Sequence, residues 1–581
     1  MTSSAQPDRR PALSLAGIEL DRLALPGLVA SVLASGFLLY HLTRGTSFYV
    51  DDWNFITGRR GDTVATFLAP YQGHLSVVPI AIYRLMFAAF GISSYAPYRA
   101  LVIALSLIVG LLVYDYARHR VGDFIAMLTA ALILFLGPGW QDTMWAFQIA
   151  WLLALGAGIA ALIMLDRRTL ATDIAACALT LAAICSTSFG VAFAIGIAAD
   201  IALTRRRWRD AWIPAIPLLL YAIWALHYHP TGIQWSAITH LPSRLLQSAA
   251  GGAASLVGLS GTTPLDAHGT TLVFGVPLVA LLALVAVGRA LRGAFGARAI
   301  TLVVVLVAFA TLTTVGRSFE TPLVSRYVYV DAVLIALFCV ELARGTRPAT
   351  AIQAGLAVAA LLAVISNVGV MRAAGAFLRQ AGAQTDAALA VVELDRGHVP
   401  ADTPIAVAEY PFMRLLTGQY ARARSALGTP ADTAGELLST GAPAQASADR
   451  QLLLDGDARL SRSPAVRTVA ARARVVNVAG GVARSAGGCI AFVPTAAAAP
   501  GVTGAVTLSA GPGALVLRAT GAPATVSVAR FAPQLTELGG VAQGRAATLE
   551  LGHVPAPGSW LVQLTSDAPV RACAPGPAAG G

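Results

Sequence analysis

Long apolar runs recur between about residues 22 and 370, and they constrain the fold of this 581-residue chain more than any other feature. Each run approaches the roughly 20 residues that an α-helix needs to cross the hydrocarbon core of a bilayer. The composition agrees, because 56% of the residues are hydrophobic and only 12% are charged. A soluble protein carries about twice that charged fraction. The sequence therefore predicts a polytopic α-helical membrane protein.

The basic character of the chain comes from arginine alone. The net charge is +11, and the sequence contains no lysine, a composition typical of a GC-rich genome such as an actinobacterial one. A basic chain can indicate nucleic-acid binding, but most of these arginines lie in short loops between apolar runs. That placement is what the positive-inside rule predicts for cytoplasmic loops, so we expect no nucleic-acid partner.

Alternation of basic and non-basic loops predicts about eleven spans, with a cytoplasmic N-terminus and an outside C-terminal region. Two apolar stretches, 74–90 and 244–259, are interpreted as helices in the membrane interface. Counting the first of them as a span would invert every later basic loop. The spans are predicted near residues 23–42, 97–117, 121–136, 146–165, 172–186, 190–204, 211–227, 271–287, 300–315, 327–342 and 351–371.

Four regions are expected along the chain. They are a cytoplasmic N-terminus (1–22), the transmembrane domain (23–371), an extracytoplasmic helical and linker region (372–464) and an extracytoplasmic β-sandwich (465–581). The sandwich is predicted because short β-prone runs with Gly, Pro and Ala between them succeed one another. These runs are 466–476, 489–493, 504–509, 514–519, 524–528, 546–551 and 560–564. Cys489 and Cys573 could pair as a disulfide if this region faces an oxidising compartment.

An acidic pair, Asp51 and Asp52, follows the first predicted span directly. Carboxylates close to a bilayer surface are costly unless they face water, a cation or a polar cavity. A helix cap or a solvated loop is the plain alternative, but the flanking aromatic residues fit a cavity at headgroup level. Further polar residues are predicted on the same outer face: His74, Asp142, His227, His229, Arg317, Glu320 and Arg326.

This arrangement resembles the GT-C superfamily of polyprenyl-phosphate-sugar-dependent glycosyltransferases. That superfamily includes protein mannosyltransferases, lipid A aminoarabinose transferases and actinobacterial arabinofuranosyltransferases. The similarity covers roughly residues 22–371, and its most specific motif is Tyr49-Val50-Asp51-Asp52-Trp53. The resemblance implies that one acid of the pair is the catalytic base, with Asp51 weakly favoured.

Two further positions correspond to the superfamily pattern. His74 and Pro79 stand where a His/Lys-Pro pattern often follows, and Asp142 matches a second acidic position in the next outer loop. The chain lacks the tight His-Pro-Pro run of better-known subfamilies, which leaves the class of donor open. The C-terminal sandwich is similar to the carbohydrate-binding-module-like domain of cell-wall arabinosyltransferases, although no aromatic cluster marks a sugar platform there.

The resemblance implies an inverting transferase, which moves a sugar from a polyprenyl-phosphate donor to an envelope glycan, lipid or protein on the outer face. A carboxylate would take the acceptor proton while the sugar carbon gains oxocarbenium character. The guanidinium fork suits the departing phosphate, so Arg317 and Arg326 are donor-binding candidates. Ordinary snorkelling of these arginines is the alternative. His74, Asp142, Glu320 and Tyr327 complete the predicted substrate-binding set.

No residue is predicted as a metal ligand, because the spacing of His227, His229 and His240 fits no zinc pattern. A divalent cation, Mg²⁺ or Mn²⁺, stays open as a cofactor. Two other functional classes also stay open: a lipid-linked glycan transporter or flippase, and a non-catalytic envelope assembly protein. Transporters usually carry ionisable residues inside spans. Here we expect the ionisable residues at span ends.

Overall fold

The computed structural model describes residues 20–204, 208–230, 232–261, 268–346, 348–406, 415–462, 469–495 and 503–575. The chain divides into two compact units. The first, called the helical unit, contains the residues up to Arg44 together with Asp62–Tyr83 and Ala96–Ala376. The second, called the mixed unit, contains Gly45–Gly61, Arg84–Tyr95 and the chain from Phe377 onward. Most of the predicted N-terminal region 1–22 lies outside the described residues.

Nineteen α-helices are present in the described part of the chain. In chain order, α1 to α19 are Leu20–Leu42, Asp51–Gly58, Val64–Leu68, Val77–Phe90, Ala96–Val121, Asp123–Leu134, Trp140–Met144, Ile149–Asp166, Leu170–Ile184, Gly190–Leu203, Trp212–Tyr228, Leu241–Leu256, His268–Leu291, Ala297–Gly316, Ser325–Leu342, Thr350–Leu394, Thr417–Leu427, Ala434–Ser439 and Ala442–Asp455. The predicted domain boundary between residues 371 and 372 falls within α16, and the division between the two compact units falls within it too.

The apolar helices fit a membrane-embedded protein. Within the described residues, six stretches are long and apolar enough to cross a membrane, or seven if one bent pair counts as a single span. The six are Leu20–Leu42, Ala96–Val121, Ala146–Asp166, Thr271–Leu291, Ala297–Gly316 and Thr350–Leu394. The bent pair joins α6 to Gly137–Met144 at an angle of 51°.

Every predicted span coincides with a helix, but not every helix has full transmembrane length. Helices α9, α10 and α11 contain 15, 14 and 17 residues. At 1.5 Å per residue these are shorter than a hydrocarbon core of about 30 Å. The count of about eleven spans therefore stays a prediction, and six or seven is what helix length and composition support.

Small residues allow the helices of this unit to approach closely. A Cβ on Gly158 of α8 would lie 2.3 Å from Cδ2 of Phe193 on α10. A Cβ on Gly196 of α10 would lie 2.3 Å from Cγ2 of Val305 on α14. Glycine is required at both crossings, as is common where helices pack without water between them. The three helices α8, α10 and α14 thus form a tightly packed layer.

The mixed unit contains eleven strands in two antiparallel sheets. Strands β1 to β11 are Ala458–Ser461, Ala473–Ala479, Gly481–Ala486, Cys489–Pro494, Gly504–Ala510, Gly513–Ala519, Ala524–Ala529, Thr536–Val541, Ala546–Leu551, Trp560–Ser566 and Val570–Cys573. One sheet has the order β1-β9-β6-β11-β4-β3 and the other has β2-β5-β10-β7-β8. Alternate residues of β10 are buried, beginning with Trp560, and pack into a core that both sheets share.

The predicted two-sheet β region is confirmed, although the strand prediction was incomplete. Strands β1, β3, β8 and β11 were missed because Gly, Arg and Glu give them little β-prone character. The run 466–476 was predicted to form one strand, but β2 begins at Ala473, and residues 466–468 lie outside the described part. Cys489 and Cys573 are cross-strand partners on β4 and β11 and form a disulfide.

Candidate functional site

A cavity of about 100 Å³ lies in the helical unit, where α14 ends and α15 begins. Five aromatic side chains, Trp151, Phe189, Tyr221, Phe309 and Tyr327, contribute to its walls. The ring centroid of Trp151 on α8 lies 5.5 Å from that of Tyr327 and 5.9 Å from that of Phe189. Phe309 on α14 closes the group, with its centroid 5.9 Å from that of Tyr327. We call this site the aromatic cavity, and its lining suits an apolar ligand chain.

Arg317 is the positively charged residue in the described lining of the aromatic cavity. It follows the last residue of α14, and its Nη2 donates to the carbonyl oxygen of Gln72 and lies 3.2 Å from Nε2 of His74. Among the described residues that line the cavity, no carboxylate is present. Within the same described part of the chain, Arg317 forms no ion pair with an acid. No carboxylate among the described residues therefore neutralises its charge through an ion pair.

His74 is the neutral partner of this arginine. Burial, together with the charges of Arg317 and Arg326, lowers the pKa of His74 to about 3, so the ring is uncharged at neutral pH. When Nε2 accepts from Arg317, the proton is on Nδ1. That atom is buried and has no hydrogen-bond partner in the described part of the chain. The pair thus offers an uncompensated guanidinium and an unused N–H donor.

Arg326 is placed differently, although the sequence predicts the same role for it. Its Nη2 donates to Oε1 of Glu320 at 2.6 Å, and the hydroxyl of Tyr327 donates to Oε2 of the same carboxylate. The Gln141 side chain accepts from Arg326 Nη1 at 3.4 Å. Arg326 is therefore neutralised by Glu320. Of the two candidate arginines, Arg317 is the one available to an anionic ligand.

Arg244 on α12 holds the loop between α14 and α15. Nη2 of Arg244 donates to the carbonyl oxygens of Glu320 at 2.8 Å and Arg317 at 3.4 Å. Such carbonyl contacts fix the backbone between α14 and α15 without consuming a carboxylate. The loop that carries the predicted residues is thereby held from one side by Arg244 and from the other by Gln141.

Asp142 lies on the short helix α7, next to Gln141, and is completely buried. Neither of its carboxylate oxygens has a hydrogen-bond partner among the described residues. A carboxyl group in such surroundings is costly unless it is protonated or meets a polar group of a ligand. It remains a candidate substrate-binding residue for that reason.

Asp51 and Asp52 belong to the mixed unit, at the start of α2. Asp52 is completely buried, and its Oδ2 accepts from the backbone N–H of Tyr49 at 3.1 Å. Asp51 is partly exposed, and its Oδ1 accepts from Nδ2 of Asn54 at 3.2 Å. The two acids thus differ: Asp52 shapes the turn, whereas Asp51 presents a carboxylate with access to solvent.

The backbone before this pair is strained. Val50 has a φ of 41° and a ψ of −100°, in the left-handed half of the map. A β-branched residue with positive φ is a genuine outlier, and such strain costs of order 1–3 kcal/mol. Strain of this kind persists where the surrounding structure over-determines the conformation, as it often does at functional sites.

The sequence did not point to several residues around the predicted set. Gln141 and Arg244 escaped notice because neither stands in a motif, although Arg244, like Arg317, runs against the charge bias of the predicted outer face. One acid within the predicted span 327–342 was also missed. Asp331 is the seventh residue of α15, is fully buried and accepts a hydrogen bond from the Ser248 hydroxyl. Its position within an apolar run was visible in the sequence.

In sequence, the chain matches no known family and no curated protein. Within the described residues, no group of three or more His, Cys, Asp or Glu side chains could hold a metal ion. The side chains themselves are therefore the basis for a functional interpretation.

Proposed function

We propose that the protein is a membrane glycosyltransferase that takes a sugar from a polyprenyl-phosphate donor and transfers it with inversion to a cell-envelope acceptor. The observation that carries this proposal is the aromatic cavity with Arg317 at its edge. A polyprenyl phosphate combines an apolar chain with an anionic head, and this lining offers a matching apolar surface beside an uncompensated guanidinium. The acceptor is an envelope glycan, lipid or protein.

In the proposed reaction, Asp51 takes the proton of the acceptor hydroxyl as that oxygen forms the new bond to the anomeric carbon of the sugar. The bond from this carbon to the phosphate oxygen breaks, and the electron pair stays with the lipid phosphate. Arg317 stabilises the negative charge that develops on the phosphate, and Nδ1–H of His74 supplies a second donor. We assign Asp52 a structural role because its carboxylate is buried against the Tyr49 amide.

The topology belongs to the same proposal. With eleven spans and a cytoplasmic N-terminus, residues 317–326 would lie on the outer side of the membrane, and so would the chain from about residue 372 onward. Nucleotide sugars are absent from that side, which is why a lipid-linked donor is required. A divalent cation, Mg²⁺ or Mn²⁺, stays open as a cofactor in this proposal.

The decisive experiment gives purified full-length protein a radiolabelled polyprenyl-phosphate sugar and a cell-envelope extract as acceptor. The wild-type protein should form labelled product, and Asp51→Asn should lose about 10²-fold or more of the rate, as expected for a missing general base. Asp62→Asn, which replaces an exposed acid, is the matched control. Wild-type rates in Asp51→Asn would contradict the assignment of the base, and absence of product from wild type would contradict the function.

A transporter of lipid-linked glycans is the second candidate, and Asp331 favours it. A buried carboxylate within an apolar helix is a feature of transport pathways. Reconstituted vesicles distinguish the two functions. Movement of labelled donor between leaflets without new product would indicate transport, and loss of that movement in Asp331→Asn would assign it to this residue.

A further inference from the structure

The helical unit contains a second polar cluster that the proposed transferase activity does not use. A cavity of about 330 Å³ lies among the final residues of α5, α8 and α10, the first turn of α14 and the residues after α15. Four arginines line this cavity, which we call the arginine pocket: Arg120, Arg168, Arg298 and Arg344. The lining is mainly polar, with Leu165 and Ala297 as its apolar members, in contrast to the apolar helices that surround it.

Two of these arginines are buried and held in ion pairs. Arg120 donates to Oδ2 of Asp166 at 2.9 Å and also pairs with Glu341 on α15. Arg298 donates to the other oxygen of Asp166 at 2.6 Å. Asp166 therefore bridges the C-terminal end of α5 to the N-terminal end of α14. The side chains of Arg120 and Arg298 are only 6% and 9% exposed, so the positions of both guanidinium groups are fixed.

The ion pairs leave one buried guanidinium nitrogen without a hydrogen-bond acceptor. Among the described residues, the four lining arginines face Asp166 and Asp200 in the lining and Glu341 beside it. Nη1 of the buried Arg298 has no hydrogen-bond acceptor in the described part of the chain, and its ion pair with Asp200 is as long as 3.6 Å. An N–H donor buried without an acceptor is costly, and an anion in the cavity would satisfy it.

We propose that the arginine pocket binds the phosphate group of an anionic ligand. Arg298 and Arg120 form a preorganised floor, because their geometry is set by ion pairs before a ligand arrives. Arg168 and Arg344, which are exposed, close over the phosphate from the solvent side. A phosphate has several acceptor oxygens and suits convergent guanidinium groups better than a single carboxylate does.

Two sources of such a phosphate are consistent with the site. The pocket lies at the ends of helices long enough to span a membrane, where the headgroups of anionic phospholipids are found, and basic pockets between such helices bind them. A soluble phosphate offers the same chemistry. The site does not rest on the transferase activity proposed above, because none of its residues contributes to the aromatic cavity or to the acidic pair.

The test uses full-length protein in detergent, with dioctanoyl phosphatidylglycerol in one arm and inorganic phosphate in the other. Binding is measured by native mass spectrometry and by the shift in unfolding temperature. The variant is the double substitution Arg168→Gln and Arg344→Gln, which alters exposed side chains and should fold normally. Arg118→Gln is the matched control, since Arg118 is also near the end of α5 but pairs with Asp115 at 3.0 Å and does not line the pocket.

We expect wild type and Arg118→Gln to bind one phosphatidylglycerol per chain, and the double variant to bind it at least about tenfold more weakly. If inorganic phosphate binds with the same sensitivity to the variant, the natural source is a soluble phosphate. If only the lipid binds, the source is a headgroup. The proposal is overturned if neither probe binds wild type, if the double variant binds like wild type, or if Arg118→Gln weakens binding equally.

Discussion

The aromatic cavity and the arginine pocket lie at opposite ends of the same helices. Helix α14 has its second residue, Arg298, in the arginine pocket and its last residue, Gly316, in the aromatic cavity, and the rise between them is about 27 Å at 1.5 Å per residue. Helix α15 likewise runs from Tyr327 in the cavity to Glu341 beside the pocket. Among the described residues, one end of this bundle carries the aromatic cavity with Arg317, which forms no ion pair, and the other end is a network of ion pairs.

The difference shows two ways of placing charge at the ends of apolar helices. In the arginine pocket, the buried Arg120 and Arg298 form ion pairs with Asp166, which is partly exposed, and Arg120 also pairs with the buried Glu341, so that the network joins α5, α8, α14 and α15. At the aromatic cavity, Arg317 is held by a carbonyl oxygen and a neutral imidazole, neither of which cancels its charge. The first arrangement should matter more for folding and the second more for ligand binding. The following substitutions test that division.

The largest expected effect is on stability at the arginine pocket. Arg120→Met leaves the carboxylate of Glu341, whose side chain is 1% exposed, without its nearest cation. Breaking a buried pair on one side costs about 3–5 kcal/mol, so unfolding of the detergent-solubilised protein should shift strongly. The double variant Arg120→Met with Glu341→Leu should recover most of this loss, because it removes both charges. Equal stability of the single variant and wild type would contradict a structural role for the network.

Next in size is the effect of Arg317→Gln on donor binding. Loss of one charge-assisted contact to phosphate should weaken the binding of a polyprenyl phosphate by about tenfold, whereas the unfolding free energy should change by less than about 1 kcal/mol. Binding is measured by competition with a labelled polyprenyl phosphate. Arg474→Gln, an exposed arginine on β2, is the control. A large loss of stability without a change in affinity would show that Arg317 stabilises the fold and does not bind the donor.

The two polar clusters also differ in how far the sequence could predict them. Helices were predictable, since apolar runs and arginine-rich loops alternate, and each predicted span coincides with a helix. Arg317 and His74 were predicted as site residues from charge bias and motif position, and they are in contact. The arginine pocket was not predicted, because its arginines were explained as orientation signals. Which of them face Asp166 or Glu341 depends on helix packing, and no local pattern encodes it.

Contacts between side chains and backbone explain why other features of the candidate site could not be predicted from the sequence. The sequence treats Arg317 and Arg326 alike, but Glu320 is bound to Arg326, which only the turn between α14 and α15 decides. Asp51 and Asp52 are adjacent, but the strained backbone at Val50 turns Asp52 into the core and leaves Asp51 accessible to solvent. Strand β11 was missed because four residues carry too little pattern, although its Cys573 gave the correct disulfide partner.

A smaller effect is expected from Tyr327→Phe at the aromatic cavity. The substitution removes the hydroxyl that donates to Glu320 and keeps the ring that packs on Trp151. It should cost about 1 kcal/mol of unfolding free energy, the usual net worth of one hydrogen bond. Tyr329→Phe on the same helix is the control, because its hydroxyl makes no hydrogen bond within the described residues. Chemical denaturation measures the unfolding free energy of wild type and of both variants. Equal losses in the two variants would show that the hydrogen bond to Glu320 does not stabilise the fold.

The smallest effect concerns the pH dependence of the aromatic cavity. The pKa of His74 is lowered from an ordinary 6.5 to about 3 by burial and by the neighbouring arginines, so protonation favours the unfolded chain. Stability from this residue is fully present above pH 6.5 and is lost progressively as the pH falls towards 3. The unfolding temperature of wild type should therefore fall between pH 7 and 5 more steeply than that of His74→Gln. His119→Gln in the arginine pocket is the matched control, since that side chain is 64% exposed. His74→Gln could retain the wild-type dependence of unfolding temperature on pH while His119→Gln weakens it. Acid sensitivity would then come from the arginine pocket, and the division of roles between that pocket and the aromatic cavity would be wrong.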